Sequence, residues 1–128
     1  MTELRCTYDP DTRSGPPADG RKIGGTIHWV SAEHSQPAEL RLFDRLFKVP
    51  FPAAGEEDFR THLNPASLEV LKDARVERSL AAARPGDRFQ FERKGFYVVD
   101  TKDSRDGALV FNLIVPLRDT WAKIAKGG

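Results

Sequence analysis

The residues best suited to chemistry in this sequence are a glutamine and an arginine within one aromatic-rich stretch, residues 88–97. Gln90 supplies an amide that donates and accepts hydrogen bonds, and Arg93 supplies a guanidinium that only donates. Four aromatic residues surround them: Phe89, Phe91, Phe96 and Tyr97. Such groups can hydrogen-bond the edge of an unstacked nucleobase and stack on its face. The same pattern is also typical of an ordinary amphipathic hairpin with its aromatic side chains in the core.

The sequence lacks the residues that metal sites, phosphate-binding loops and common catalytic centres require. The chain has one cysteine and three widely separated histidines, so the sequence predicts no metal site. The histidines are His28, His34 and His62. The pair Asp9 and Asp11 begins like a calcium loop, but Arg13 and Gly20 stand where that loop needs oxygen ligands. Because the sequence also contains no phosphate-binding loop and no nucleophile elbow, we expect no catalytic centre in this chain.

Composition sets the class of protein and limits how it could bind a polyanion. A chain of 128 residues is the usual size of one domain. Its 20 basic and 19 acidic residues give a formal net charge of +1, so binding to nucleic acid by bulk electrostatics is disfavoured. The longest apolar run, residues 108–111, is too short to span a membrane, and the first five residues do not resemble a secretory signal. We therefore expect a cytoplasmic protein without membrane contact.

The elements that would position Gln90 and Arg93 are short strands separated by turns. In chain order the predicted strands cover residues 4–8, 23–30, 38–44, 68–76 and 108–117, and a β-hairpin covers residues 88–101 with Lys94 and Gly95 at its turn. Short helical pieces are predicted over residues 56–63 and 76–83, and a long loop over residues 9–20. Cys6 falls in the first strand, where we expect a buried thiol. The pattern predicts a mainly β domain, an antiparallel barrel with short helices.

Six segments, in order along nearly the whole chain, resemble bacterial glutaminyl-tRNA synthetases. They are residues 6–12 (CTYDPDT), 17–22 (PADGRK), 27–31 (IHWVS), 42–47 (LFDRLF), 89–93 (FQFER) and 117–123 (LRDTWAK). The first segment followed so soon by the third makes a chance match improbable. The resemblance implies that residues 1–128 are the C-terminal part of an anticodon-binding β-barrel region, whose fold resembles that of ribosomal protein L25.

The resemblance also implies roles for three residues. Gln90 and Arg93 match family residues that contact the central anticodon base, a uridine flipped out of the loop. Arg118 is a candidate phosphate contact, and a salt bridge that holds the tail is an equally good interpretation of it. One position departs from the family: an arginine commonly follows Phe-Asn in the last strand, whereas this chain has Leu113 after Phe111 and Asn112.

The implied partner is the anticodon loop of glutamine tRNA, and the implied activity belongs to a longer protein. The two ATP-binding motifs of class I synthetases are absent from this sequence. We therefore expect no cofactor here, with ATP and glutamine bound by an absent catalytic domain. Part of the anticodon-binding region would precede residue 1, so we expect weak RNA binding by the chain alone and self-association through unpaired strand edges. The alternative is a free-standing barrel, like the ribosomal relative, that binds RNA or protein without an anticodon role.

Overall fold

The computed structural model describes residues 3, 5–12, 15–25 and 27–117. Five strands form one sheet: β1 (Ser35–Phe43), β2 (Leu68–Glu77), β3 (Arg88–Phe91), β4 (Gly95–Val99) and β5 (Leu109–Pro116). Three short 3-10 helices lie between them or before them, at Pro10–Thr12, Phe59–His62 and Arg78–Ala82. The prediction of a mainly β domain with short helical pieces is confirmed. None of the helices in the described ranges has the length and apolar character needed to cross a membrane.

The strands follow the order β2-β1-β5-β4-β3, and three of the four neighbouring pairs are antiparallel. The central pair, β1 and β5, is parallel. The predicted antiparallel barrel is therefore confirmed only in part, because the sheet is mixed and, within the described residues, not closed. The 3-10 helix Arg78–Ala82 connects β2, at one edge of the sheet, to β3, at the other edge. After this crossover the chain continues through β4 to β5, which lies beside β1 and runs parallel to it.

The core lies on one face of the sheet, where strands β1, β4 and β5 each contribute alternate residues. Phe111 and Val99 are fully buried. The ring of Phe91 stacks on Tyr97 with centroids 4.5 Å apart and meets Phe111 edge-on at 5.1 Å. Burial of one such aromatic side chain stabilises a fold by about 1.5–3 kcal/mol. Three of the four aromatic residues of the hairpin, Phe89, Phe91 and Tyr97, are thus part of the core, as in the second interpretation of the sequence.

Four predicted elements are confirmed with shifted ends, namely the strands over residues 38–44, 68–76 and 108–117 and the hairpin over residues 88–101. The helical pieces predicted over residues 56–63 and 76–83 form as 3-10 turns at Phe59–His62 and Arg78–Ala82. Their brevity has a local cause, since prolines follow both pieces, at Pro65 and Pro85, and disfavour helical backbone in the residue before them.

Two predicted strands are wrong in the described residues. Residues 5–8 and the described residues of 23–30 are in no strand, and Cys6 is exposed rather than buried. The apolar residues of the second segment are also exposed, with Ile27 82% and Trp29 76% accessible. The physical reason is that alternation creates a strand only where a neighbouring strand offers backbone partners, and no described strand pairs with these segments.

The predicted loop over residues 9–20 is confirmed where it is described, and it is organised by its first aspartate. The side chain of Asp9 accepts a hydrogen bond from the backbone N–H of Asp11 and forms an ion pair with Arg21. Gly20 adopts a φ of 73°, a conformation that glycine reaches without strain, and its N–H donates to the carbonyl oxygen of Pro17. These contacts close the loop on itself and leave Asp11 and Arg21 at the surface.

Candidate nucleic-acid interface

The β3–β4 hairpin places three of its four aromatic side chains on the face opposite the side-chain amide of Gln90. Facing pairs across the two strands are Phe89 with Tyr97, Gln90 with Phe96, and Phe91 with Gly95. Because side chains alternate between the two faces of a strand, Phe89, Phe91 and Tyr97 lie on the core face. Gln90 and Phe96 lie together on the opposite face. The structure therefore brings Gln90 beside one of the four aromatic residues and not beside the other three.

Gln90 is exposed, and its amide makes no hydrogen bond with any residue in the described part of the chain. Its cross-strand neighbour Phe96 is 40% exposed, so this aromatic residue is partly open to solvent. An unpaired amide beside an open aromatic ring offers hydrogen bonds and a stacking surface at the same place. This arrangement is the part of the predicted site that the hairpin itself builds.

Arg93 lies in the turn that joins the two strands. The backbone N–H of Lys94 donates to the carbonyl oxygen of Phe91 at 3.0 Å, and this bond closes the turn around Glu92 and Arg93. Arg93 has a φ of 62°, in the left-handed region that non-glycine residues adopt infrequently. Its guanidinium is 48% exposed and approaches the carboxylate of Glu92 at 3.6 Å. The turn thus presents a cation beyond the end of β3.

Gly95 lies in β4 and not in the turn, so the turn predicted at Lys94 and Gly95 lies earlier, at residues 92–94. A Cβ atom at Gly95 would stand 2.7 Å from the carbonyl oxygen of Val115 and 2.9 Å from a methyl group of Leu113. The glycine therefore permits close approach of β5. The turn still needs one residue with a left-handed backbone conformation to reverse the chain, and Arg93 adopts that conformation.

A cleft of about 610 Å³ opens beside this hairpin, between the extended residues 27–30 and the edges of β2 and β3. Its floor is apolar, formed by Leu40, Phe89 and Phe91. Side chains of mixed character line its walls: Trp29, His28, Gln90, Glu92, Lys94 and Arg75. Sequence reasoning missed this cleft, because the separation of residues 27–30 and 89–94 along the chain gives no sign that they come together.

A second polar cluster, on the outer face of the sheet, is structural. The carboxylate of Asp100 accepts hydrogen bonds from the backbone N–H groups of Asp103 and Lys102, at 2.7 and 2.8 Å, and from the Asn112 amide at 2.6 Å. These bonds, with a smaller contribution from Arg41, lower the pKa of Asp100 from 3.8 to about 2. The cluster fixes the turn after β4 against β5.

Arg118 lies outside the described residues, and Leu113 stands at the position where the resemblance implied an arginine. Leu113 is partly buried and packs against the core, so this chain uses that position for packing. Over the described ranges, His, Cys, Asp and Glu side chains do not gather in any group of three that could hold a metal ion.

Comparison with known proteins gives consistent matches. Residues 26–100 match the family described as "tRNA synthetases class I (E and Q), anti-codon binding domain". The chain is 60% identical over 124 residues to a glutamine–tRNA ligase of Serratia proteamaculans, across 97% of this chain and 22% of that protein. It is 59% identical over 130 residues to a glutamine–tRNA ligase of Rhodopirellula baltica, across 99% of this chain and 21% of that protein. The chain thus spans about a fifth of the length of these relatives.

Proposed function

This chain belongs to the anticodon-binding domain family of the class I tRNA synthetases for glutamate and glutamine, and from that premise we propose that it recognises the anticodon loop of glutamine tRNA. The longer protein would be a glutamine–tRNA ligase working in the cytoplasm. Its other regions would bind ATP and glutamine and catalyse aminoacylation. The alternative of a free-standing barrel is not favoured, because the relatives named above are all glutamine–tRNA ligases and extend far beyond this chain.

One observation supports the proposal: the unpaired amide of Gln90 and the exposed side chain of Arg93 lie at the same end of one hairpin, with the partly exposed Phe96 facing Gln90. The edge of a splayed uracil presents one N–H donor and two carbonyl acceptors. An amide can pair with the donor and one acceptor, and a guanidinium can donate to the other acceptor. A few placed groups of this kind suit a chain whose net charge is only +1.

Arg118 remains part of the proposal as a phosphate contact. The backbone N–H of Leu117 donates to the carbonyl oxygen of Lys94, which holds the chain after β5 beside the turn that carries Arg93. The next residue along the sequence is Arg118. A phosphate contact there would position the RNA without selecting its sequence.

The test is the affinity for a glutamine-tRNA anticodon stem-loop, measured by NMR titration, which detects weak binding. Gln90→Ala and Arg93→Ala should each weaken binding by about 1–3 kcal/mol, the usual value of a base contact. Replacing the central uridine by cytidine should weaken binding by the wild type and have little further effect on Gln90→Ala. Lys72→Ala removes an exposed charge on β2 and serves as the control. Equal affinities for wild type, Gln90→Ala and Arg93→Ala would reject the assignment.

We also propose that the chain self-associates. Each of the edge strands β2 and β3 pairs with one neighbour in the described sheet, and an unpaired strand edge is a template for pairing with another chain. Size-exclusion chromatography with light scattering should show a mass that rises with protein concentration. A constant monomer mass across the series would contradict this part of the proposal.

A further inference from the structure

One carboxylate links the cleft to the proposed RNA contact. An oxygen of the Glu92 carboxylate, Oε1, lies 3.6 Å from Nη2 of Arg93. The other oxygen, Oε2, lies 3.7 Å from Nδ1 of His28, which belongs to the extended segment across the cleft. We call these three residues the Glu92 bridge. His28, Glu92 and Gln90 line the same cleft, so the bridge lies beside the amide contact.

We propose that His28 and Glu92 are positioning residues for Arg93, with His28 acting through the carboxylate of Glu92. The inference rests on the proposed role of Arg93 as a base contact. In this arrangement the imidazole restrains one oxygen of the carboxylate, and the other oxygen restrains the guanidinium. Arg93 would then meet the RNA with its guanidinium already directed away from the end of β3.

The physical reason is the conformational freedom of an exposed arginine. A long side chain loses rotamer entropy when it is fixed on binding, and holding it beforehand removes part of that cost. A single exposed ion pair between Glu92 and Arg93 would hold it poorly, because such pairs are worth little in solvent. A second contact on the other oxygen limits the positions open to the carboxylate. His28 lines the cleft, and its side chain is 34% exposed against 65% for Glu92.

The Glu92 bridge predicts that removing the charge of Glu92 changes RNA affinity in the opposite direction from removing an ordinary surface carboxylate. A carboxylate close to bound RNA repels phosphates, so removing its charge should tighten binding if the residue had no other role. If Glu92 positions Arg93, then Glu92→Gln should weaken binding instead. Glu77 provides the matched control, because it lines the same cleft and makes no contact with Arg93 among the described residues.

The experiment measures binding of the anticodon stem-loop by wild type, His28→Ala, Glu92→Gln and the double variant. We expect Glu92→Gln to weaken binding about two- to fivefold and His28→Ala by no more than that. In the Glu92→Gln background, His28→Ala should have no further effect. His28→Lys places a cation facing Glu92 and should bind nearly as well as wild type. Glu77→Gln should bind as well as wild type or slightly tighter.

A second readout needs no RNA. The ¹⁵N signals of the Arg93 guanidinium should shift in His28→Ala and in Glu92→Gln, and stay in place in Glu77→Gln. Unchanged Arg93 signals, unchanged or tighter binding by Glu92→Gln, or additive effects in the double variant would each overturn the bridge. Arg93→Ala separates the two proposals. Weak binding by Arg93→Ala together with wild-type binding by Glu92→Gln removes the bridge alone, whereas wild-type binding by Arg93→Ala removes the proposed function.

Discussion

Two regions of this chain carry similar strand patterns and reach different structures. Residues 35–117 form a sheet in which Phe111 and Val99 are fully buried. In residues 27–30, β-branched and aromatic residues also alternate with others, yet Ile27 and Trp29 are 82% and 76% exposed. The difference is the presence of partners, because β5 pairs with β1 on one side and with β4 on the other, while no described strand pairs with residues 27–30. Alternation of apolar and polar residues therefore predicts which face of a strand is apolar, but the strand forms only where a neighbouring strand pairs with it.

The largest expected effect lies at the centre of the sheet. Phe111→Ala removes a fully buried ring that contacts both Phe89 and Phe91, and should lower the free energy of unfolding by about 3–5 kcal/mol. Chemical denaturation followed by circular dichroism measures it. A loss of less than about 1 kcal/mol would mean that the stability of the sheet does not depend on this core. That result would contradict the difference drawn between the two regions.

The next effect tests the close approach of β5 to β4. Gly95→Ala places a methyl group 2.7 Å from the carbonyl oxygen of Val115, so β5 must shift and the stability should fall by about 1–3 kcal/mol. Gly24→Ala is the matched control in the extended segment, because no atom lies within 4 Å of a Cβ placed there. The same denaturation experiment should find Gly24→Ala within about 0.5 kcal/mol of wild type. Equal losses at the two glycines would show that packing does not distinguish these regions.

A third effect concerns the polar cluster on the outer face. The pKa of Asp100 is lowered to about 2, so the unfolded chain binds the proton more tightly than the folded chain does. Stability from Asp100 is therefore complete above about pH 4 and is lost as the pH falls towards about 2. Asp100→Asn should cost about 1–2 kcal/mol at neutral pH, and its difference from wild type should shrink over that window.

Denaturation at a series of pH values between neutral and strongly acid checks this expectation. The control is Asp73→Asn, on the exposed strand β2, where the carboxylate accepts no hydrogen bond from the described residues. A difference between Asp100→Asn and wild type that stays constant down to about pH 2 would contradict the cause assigned to the shift.

The smallest effect is expected in the extended segment. Trp29→Ala removes a large side chain that is mostly exposed, so the free energy of unfolding should change by less than about 0.5 kcal/mol. Thermal and chemical denaturation of the variant test this directly. A loss comparable to that of Phe111→Ala would show that Trp29 is buried in solution, and the two regions would then be alike.

Most of the fold could be predicted from the sequence, and the reasons for the failures are specific. The hairpin over residues 88–101 was predicted because alternation and a turn lie next to each other along the chain, so the partner strand is local. The parallel pairing of β1 with β5 was not, since nothing local records which distant strands become neighbours. The exposure of Cys6, Ile27 and Trp29 was missed for the same reason.

The candidate site, like the fold, could be predicted from the sequence only in part. Gln90 and Phe96 face one another across two adjacent strands, in a register that differs from the one implied by the predicted turn at Lys94 and Gly95. The left-handed conformation of Arg93 was not predicted, because Gly95 looked like the turn residue and its real function is to admit β5. The approach of His28 to Glu92 joins segments far apart in sequence, and only the folded arrangement brings them together.

The most direct test of the account is to map which side of the hairpin meets RNA. In an NMR titration of the ¹⁵N-labelled chain with the glutamine-tRNA anticodon stem-loop, the largest shifts should fall on the side-chain amide of Gln90, the guanidinium of Arg93 and the ring of Phe96. The same signals should respond less when the central uridine is replaced. Shifts confined to the exposed strand β2, or equal shifts with either base, would contradict the claim that this hairpin recognises an unpaired nucleotide.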